Sequence, residues 1–410
     1  MSPTILYISY DGMTDPLGQS QVIPYLEGLS QKGFEIHLLS CEKPDRFIAG
    51  EQAIRNALQV AGIQWHPVSY SKHPPVLATV WDIFKLHRKA MQLHRSHTFS
   101  LVHCRSYIAA LVGLKMKRTQ GVKFVFDMRG FWVEERIEGG IWNPSSFLYR
   151  FIINYFKKKE QSFLRNADGI ISLTEKAKLD LVNRHNGPSA VKIQVIPCCV
   201  DTKLFSLSSV SISDIENRRK ILGLNADMRV ICYLGAIGTW YMLDEMLAFF
   251  KAYLERDANA VFLFVTQENP VAINNAASRF DIPMNRIRIC SAARHEVPSF
   301  LALASMSIFF IRPSYSKTAS SPTKLAELMA MGLPVICNRN VGDLDNLGDW
   351  KETGVYAIEP DGHGFMSVLN DLNALLHIAP SRIRAVSRTR FDLATGIGLY
   401  EAVYRKVIES

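Results

Sequence analysis

The sequence predicts two α/β domains in tandem, each a doubly wound, Rossmann-like parallel sheet covered by helices on both faces. Three observations predict it. At 410 residues the chain exceeds what one hydrophobic core usually serves. Short β-rich runs alternate with helical ones along nearly its whole length, which implies parallel pairing. The alternation pauses once, at the serine- and threonine-rich residues 200–213, and then resumes. A first domain of 1–200 and a second of 201–394 follow, with the last helix, 395–410, expected to pack back on the first.

In the first half the strands are TILYISY, EIHLLSC, IQWHPVSY, LVHCRS, KFVFDMR, GIISLT and KIQVIPCC, each rich in β-branched and aromatic residues. Helices are predicted between them over 21–32, 46–61, 76–94, up to 119 and near 147–166, with a long irregular loop after KFVFDMR. The second series is RVICYLG, AVFLFVTQ, RIRICSA, SMSIFFIRP, PVICN and GVYAIEP, closed by a helical tract whose last piece is 395–409. Sheets of this kind bind ligands at the carboxyl ends of their strands, so two in tandem are expected to face one central cleft.

Composition narrows the class. With 48% hydrophobic and 21% charged residues, the chain is neither disordered nor fibrous. The opening MSPTILYISYDGM has no basic segment leading into an apolar run, and no stretch holds about 20 apolar residues. A cytoplasmic protein is therefore expected. Seven cysteines without a Cys-x-x-Cys pair read as buried, reduced thiols. The net charge of +9 suits an anionic partner: nucleic acid, a phosphorylated substrate or an anionic membrane surface. No recognition helix, zinc finger or RNA-binding aromatic motif is present, so nucleic acid is not expected. WDIFKLHRKAMQLHRSH and FLYRFIINYFKKKEQSFLR combine helical periodicity with cations and aromatics. They suit a peripheral position on anionic lipid, or equally core-packed helices with a solvated basic face.

The stretch SSPTKLAELMAMGLPVICN carries the densest chemistry. Ser320 or Ser321 can cap a helix whose first position is Pro322, because the missing proline N–H would be unpaired there anyway. The amides of Thr323 and Lys324 then leave the helix end without internal partners, and the macrodipole adds partial positive charge. Such an end suits a phosphate. Glu327 lies three residues beyond Lys324 on the same face, and roughly 5 Å further along the axis than the free amides. That offset fits a carboxylate accepting both ribose hydroxyls of a nucleotide; the alternative is an exposed Lys324–Glu327 ion pair on an ordinary amphipathic helix.

The same run resembles the nucleotide-binding segment of glycosyltransferase family 4, the retaining sugar-nucleotide transferases of GT-B fold. DPLGQSQVIPYLEGLSQKGFEIHLLS is similar to their first glycine loop and helix. ADGIISLTEKAKLDL and VIPCCVDTKLF resemble the end of their first domain, and YLGAIGTWYMLDEMLAFF the start of their second. The resemblance implies that Glu327 holds the ribose and that Ser320 to Thr323, including Ser321 and Pro322, hold the diphosphate. Gly235 is the glycine ending the second domain's first strand. Two departures stand out. The first of a customary pair of glutamates is Ala319, and the positions that often carry Arg and Lys on the diphosphate hold Ala236 and Tyr241. A departing diphosphate needs donors or positive charge, so Lys324 is expected to replace them, with Arg129 or Arg312 next.

In the first domain, Gly18 in DGMTDPLGQSQ is a position where the backbone can approach donor phosphate or sugar. The loop lacks Gly-x-Gly-x-x-Gly spacing, which argues against NAD or FAD. KFVFDMRGFWVEERIEGGIWN places Asp127, Arg129 and Glu134 among tryptophans, a usual setting for a sugar. Many relatives have a His near the position of Asp127; Asp127 and Arg129 are read as lining the site or as a structural ion pair. His103 and Arg105 end another strand on the same edge, as substrate contacts or, for His103, a satisfied core residue. DLD at 343–345 resembles a metal motif of a different transferase fold, and no metal or other cofactor is expected.

The expectation is a retaining transferase moving a sugar from a UDP- or GDP-linked donor to a hydroxyl of a glycan or lipid-linked glycan, as in bacterial surface polysaccharide or lipopolysaccharide synthesis. In the family the leaving phosphate is taken to help deprotonate the acceptor, so no dedicated base is named. A nucleotide-sugar epimerase on the same fold and a non-catalytic nucleotide-sugar-binding scaffold are the alternatives.

Overall fold

The computed structural model describes residues 2–184 and 187–410. It divides into two compact units, Met1–Cys198 with Leu393–Ser410, and Cys199–Asp392.

The first unit holds β1 (Thr4–Ser9), β2 (Glu35–Glu42), β3 (Gln64–Ser69), β4 (Leu101–Arg105), β5 (Lys123–Asp127), β6 (Gly169–Ser172) and β7 (Ile193–Val195). All pair in parallel, in the order β3-β2-β1-β4-β5-β6-β7. Strand order reverses between β1 and β4, where Ser9 lies opposite Arg105. A reversal of this kind opens a crevice at the carboxyl edge, because the flanking connections leave to opposite sides. β4 is buried along its whole length, as a central parallel strand covered on both faces must be.

The second unit holds β8 (Val230–Leu234), β9 (Val261–Val265), β10 (Ile287–Cys290), β11 (Met306–Phe309), β12 (Val335–Asn338) and β13 (Val355–Ile358), parallel in the order β10-β9-β8-β11-β12-β13. Its reversal falls between β8 and β11, so Gly235, immediately after β8, sits at this sheet's ligand edge.

Three local expectations change. Residues 16–21 of the first loop form a helix, Pro16–Gln21, started by a proline in the first turn. The loop expected after β5 contains the helix Trp132–Glu138. Its aromatics pack on one another, with Trp132 5.0 Å from Trp142 and 4.9 Å from Phe156 between ring centroids. Trp142 also stacks on Phe156 of the helix Phe147–Asn166, at 5.9 Å between centroids. Residues 200–213 are not a free linker: Val200 and Phe205 are buried in the second core, and Ser211 caps the helix Ile212–Ile221 by accepting from the Asp214 amide. The apolar residues between the serines decide this, since burying Val200 and Phe205 gains more than leaving them solvated.

All seven cysteines are free thiols, six of them buried and Cys290 half-buried. Among the described residues no helix is long and apolar enough to cross a membrane.

Candidate active site

In the second unit, the loop after β11 ends in a short 3-10 turn, Ser316–Ala319, and then the helix Thr323–Ala330. Pro322 is its N-cap residue and not its first helical one, because Ser320 and Pro322 are both extended. No side chain caps this end. Among the described residues no protein acceptor faces the amides of Thr323 and Lys324; the first turn closes through the Leu325 amide on the Pro322 carbonyl at 3.1 Å. Two donors are thus left at a helix end, the local requirement for an oxyanion.

This helix is buried from Lys324 to Ala330, which removes the reading of an exposed ion pair on a surface helix. Lys324 is 5% exposed and Glu327 8% exposed. They turn to different partners. Glu327 accepts from Arg294 Nη1 at 2.7 Å. Burial raises its pKa, opposed by the Arg294 guanidinium and then by Lys324.

Lys324 Nζ donates to the Tyr233 hydroxyl at 2.9 Å and lies 3.6 Å from the centre of the Tyr241 ring and 4.1 Å from that of Tyr233. The Tyr233 hydroxyl in turn donates to the Ala236 carbonyl. The two positions at which cations are missing therefore serve Lys324: Tyr241 offers its π face, and Ala236 anchors the tyrosine that holds the ammonium. Burial drives the Lys324 pKa well down, partly offset by Glu327 and Cys232. Gly235, at φ +110, completes the setting, since a side chain there would stand 3.3 Å from Lys324 Nζ.

Two further cations lie on the same edge. Lys317 is 6% exposed with its Nζ 3.8 Å from the Trp240 ring centre, and the exposed Arg312 lies 4.9 Å from it. Arg294 and Lys317 have no motif around them, and sequence reasoning missed both. The same unit has a cavity of about 950 Å³ bordered by Trp350, Tyr356 and His363, which contains none of the candidate residues.

The first unit gives a different picture. Asp127 and His103 are fully buried, and His103 Nε2 lies 3.4 Å from Asp127 Oδ2. Tyr400 and Tyr404, from the helix Leu393–Glu409, close the cluster: Tyr400 donates to Asp127 Oδ2 at 3.1 Å, and the Tyr404 hydroxyl meets His103 Nδ1 at 2.8 Å. Arg129, in the left-handed region at φ 57, brings Nη1 to 3.9 Å from Asp127 and Nη2 to 3.3 Å from Cys198 Sγ. Burial opposes ionisation of Asp127, but Arg129, His103 and Arg105 outweigh it and hold the pKa below the usual carboxylate value. Burial likewise lowers His103, so the imidazole is neutral, donating from Nε2 and accepting at Nδ1. Asp127, Arg129 and His103 thus lie in one buried network with the two tyrosines, in which Asp127 Oδ1 has no hydrogen-bond partner among the described residues. The C-terminal helix covers them.

Gly18 lies within the helix Pro16–Gln21, and a Cβ there would stand 2.3 Å from the Gly12 carbonyl oxygen, so the loop packs as it does only around a glycine. Arg105 ends β4 at the strand reversal. Its Nε reaches Asp11 Oδ2 at 3.4 Å, while among the described residues its buried Nη1 has no hydrogen-bond partner. Glu134 approaches Lys157 at 3.5 Å, and its other oxygen, the buried Oε2, has no hydrogen-bond partner among the described residues. These two keep unused polar atoms near the carboxyl edge, where a substrate would be met.

Sequence comparison matches residues 21–204 to the glycosyltransferase family 4 model and residues 228–373 to glycosyl transferases group 1. The chain belongs to glycosyltransferase family 4, and it is a glycosyltransferase of GT-B fold. Among solved structures, HepE of Anabaena with UDP and glucose bound is 15% identical, with a TM-score of 0.70 over 98% of this chain and 99% of that one. Sucrose-phosphate synthase of Thermosynechococcus elongatus is 16% identical, with a TM-score of 0.74 over 99% of each. A Listeria monocytogenes protein described as a putative UDP-N-acetylglucosamine 2-epimerase is 12% identical, at 0.64 over 100% and 97%. No curated protein matches the chain in sequence.

Proposed function

We propose that the protein transfers a sugar, with retention, from a UDP- or GDP-linked donor to a hydroxyl of a glycan or lipid-linked glycan, as in bacterial surface polysaccharide assembly. The observation that carries this reading is the buried N-terminal half of one helix: Lys324 beside Gly235 and two free amides, Glu327 one turn deeper. In the reaction the bond from the anomeric carbon to the β-phosphate oxygen breaks and one to the acceptor oxygen forms on the same face. The acceptor proton passes to the leaving phosphate, so no protein base is required. The amides of Thr323 and Lys324, with the Lys324 ammonium, stabilise the charge developing on the diphosphate. Glu327 accepts from the ribose hydroxyls, and Arg294 fixes its carboxylate. Ser321 and Pro322 shape the approach to these amides, and Arg105 and Glu134 are the first-unit groups proposed to meet the sugar or acceptor.

Release of free nucleoside diphosphate that depends on adding acceptor tests this reading. Conversion of donor without acceptor would instead indicate an epimerase. A panel of UDP- and GDP-sugars in thermal unfolding identifies the base, because a ligand of the folded state raises its stability.

We further propose that the enzyme works on the anionic inner face of the cytoplasmic membrane. The helices Pro75–His97 and Phe147–Asn166 both pack on Ser106–Gln120, and both start at the carboxyl edge of the first sheet. Their first halves expose Leu77, Val80, Trp81 and Phe84, and Phe147, Leu148 and Phe151. The acids of these helices, Asp82 and Glu160, are buried, so the outer faces carry apolar rings among lysines and arginines. Sedimentation with vesicles containing anionic lipid should carry the protein down, and Trp81→Glu with Phe151→Glu should release it. Equal recovery in the supernatant with and without anionic lipid would discard the idea.

A further inference from the structure

At the opposite end of the first sheet, three imidazoles and a carboxylate converge. Glu35 and His37 are alternate residues of β2 and so share a face. The register pairs His37 with Gln64 and Leu39 with His66, which sets His66 of β3 diagonally beside His37 on that face. The helix Pro75–His97 ends over it, with Thr98 left-handed at φ 50 stopping the helix where His97 arrives.

We infer that Glu35, His37 and His97 bind a divalent transition-metal ion of the zinc class, with His66 orienting His37. One ligand atom from each of the three lies within 4.8 Å of the others. The 3.4 Å between His37 Nε2 and Glu35 Oε1 is the separation that tetrahedral bonds of about 2.1 Å impose on neighbouring ligands. His97 stands with its ring centroid 4.1 Å from that of His37.

The outer partners are in place too. His37 Nδ1 is 3.1 Å from His66 Nε2, which commits Nδ1 to a hydrogen bond and leaves Nε2 for a metal. Thr4 Oγ1 donates to Glu35 Oε2 at 3.4 Å, leaving Oε1 for the same purpose. Nitrogen and oxygen ligands without sulfur suit zinc over softer ions, and three protein ligands leave a fourth position to water. Glu35 is exposed and His97 half-buried, which gives the ion a way in. Because Glu35 is the first residue of β2, the site lies away from the carboxyl edge. It clasps the end of the helix Pro75–His97 to the sheet and takes no part in transfer.

The test uses the full chain without a histidine tag, stripped with chelator and dialysed against Zn²⁺ alone. The expected result is one ion per chain, a rise in melting temperature reversed by chelator, and a visible ligand-field band with Co²⁺. Glu35→Gln and His97→Ala, at positions open enough to tolerate change, should each weaken binding at least tenfold, and His66→Asn roughly 10- to 100-fold. Binding unaltered in Glu35→Gln and His97→Ala, or no stoichiometric binding, would overturn the proposal whether or not transfer activity is found.

Discussion

Lys324 combines two features that pull against each other: a position suited to a diphosphate and an environment that disfavours its own charge. An ammonium among Tyr233, Tyr241 and Phe309 has given up hydration, and the π faces return only part of it. An arriving diphosphate changes this, since unit charges about 4 Å apart attract by roughly 4 kcal/mol at an effective dielectric near 20. Lys324→Met should therefore leave the melting temperature unchanged or raise it, while kcat falls roughly 10²- to 10³-fold, the usual loss for one transition-state donor. A lower melting temperature with normal kcat would make Lys324 purely structural. Glu327→Gln should instead weaken nucleoside diphosphate binding by roughly ten- to a hundredfold, as losing charge-assisted hydrogen bonds costs about 1.5 to 3 kcal/mol; calorimetric titration reads it. Glu327 and Lys324 were legible because they follow a proline at a helix N-cap and sit one turn apart on the helix. Arg294 was not, because it comes from the loop after β10 and meets Glu327 only through the fold.

At the level of elements, the helix Leu393–Glu409 determines what the ends of β4 and β5 can do. Strand-end polar residues in a parallel sheet read as ligand contacts, and His103, Asp127 and Arg129 carried that pattern. Tyr400 and Tyr404 reach Asp127 Oδ2 and His103 Nδ1 from a helix nearly three hundred residues later in the chain, and no local pattern announces such a partner. Among the described residues Arg105 Nη1, Glu134 Oε2 and Asp127 Oδ1 are all buried without a hydrogen-bond partner. Tyr400→Phe tests whether Asp127 serves the fold or the substrate. Removing a hydrogen bond from the buried carboxylate should destabilise the protein by about 1 to 3 kcal/mol in denaturant titration, with KM for the donor unchanged. A raised KM without lost stability would place Asp127 in the substrate site.

For the whole molecule, alternation of strand and helix was the dependable signal, because parallel pairing forces a crossover between successive strands. What alternation leaves open is which surfaces close over which strand ends, and this has a consequence for acid stability. Within the first unit, His103 is faced by Asp127, Tyr7, Arg105, Arg129, Tyr400 and Tyr404, and burial holds its pKa below 6.5. The unfolded chain takes up a proton near pH 6.5 that the folded chain refuses until lower pH. Stability from this group is thus present above pH 6.5 and is lost as pH falls through the folded-state pKa. Asp127, also depressed, adds a second loss only below its unfolded value of 3.8. Melting temperature should therefore decline on going from pH 7 to pH 5, and His103→Gln, which keeps a neutral polar side chain, should be less stable at pH 7 but flatter over that interval. The measurement is a set of thermal scans on both proteins in chelator-containing buffers, so that metal release does not contribute. Parallel declines in the two proteins would mean that His103 is not the group responsible.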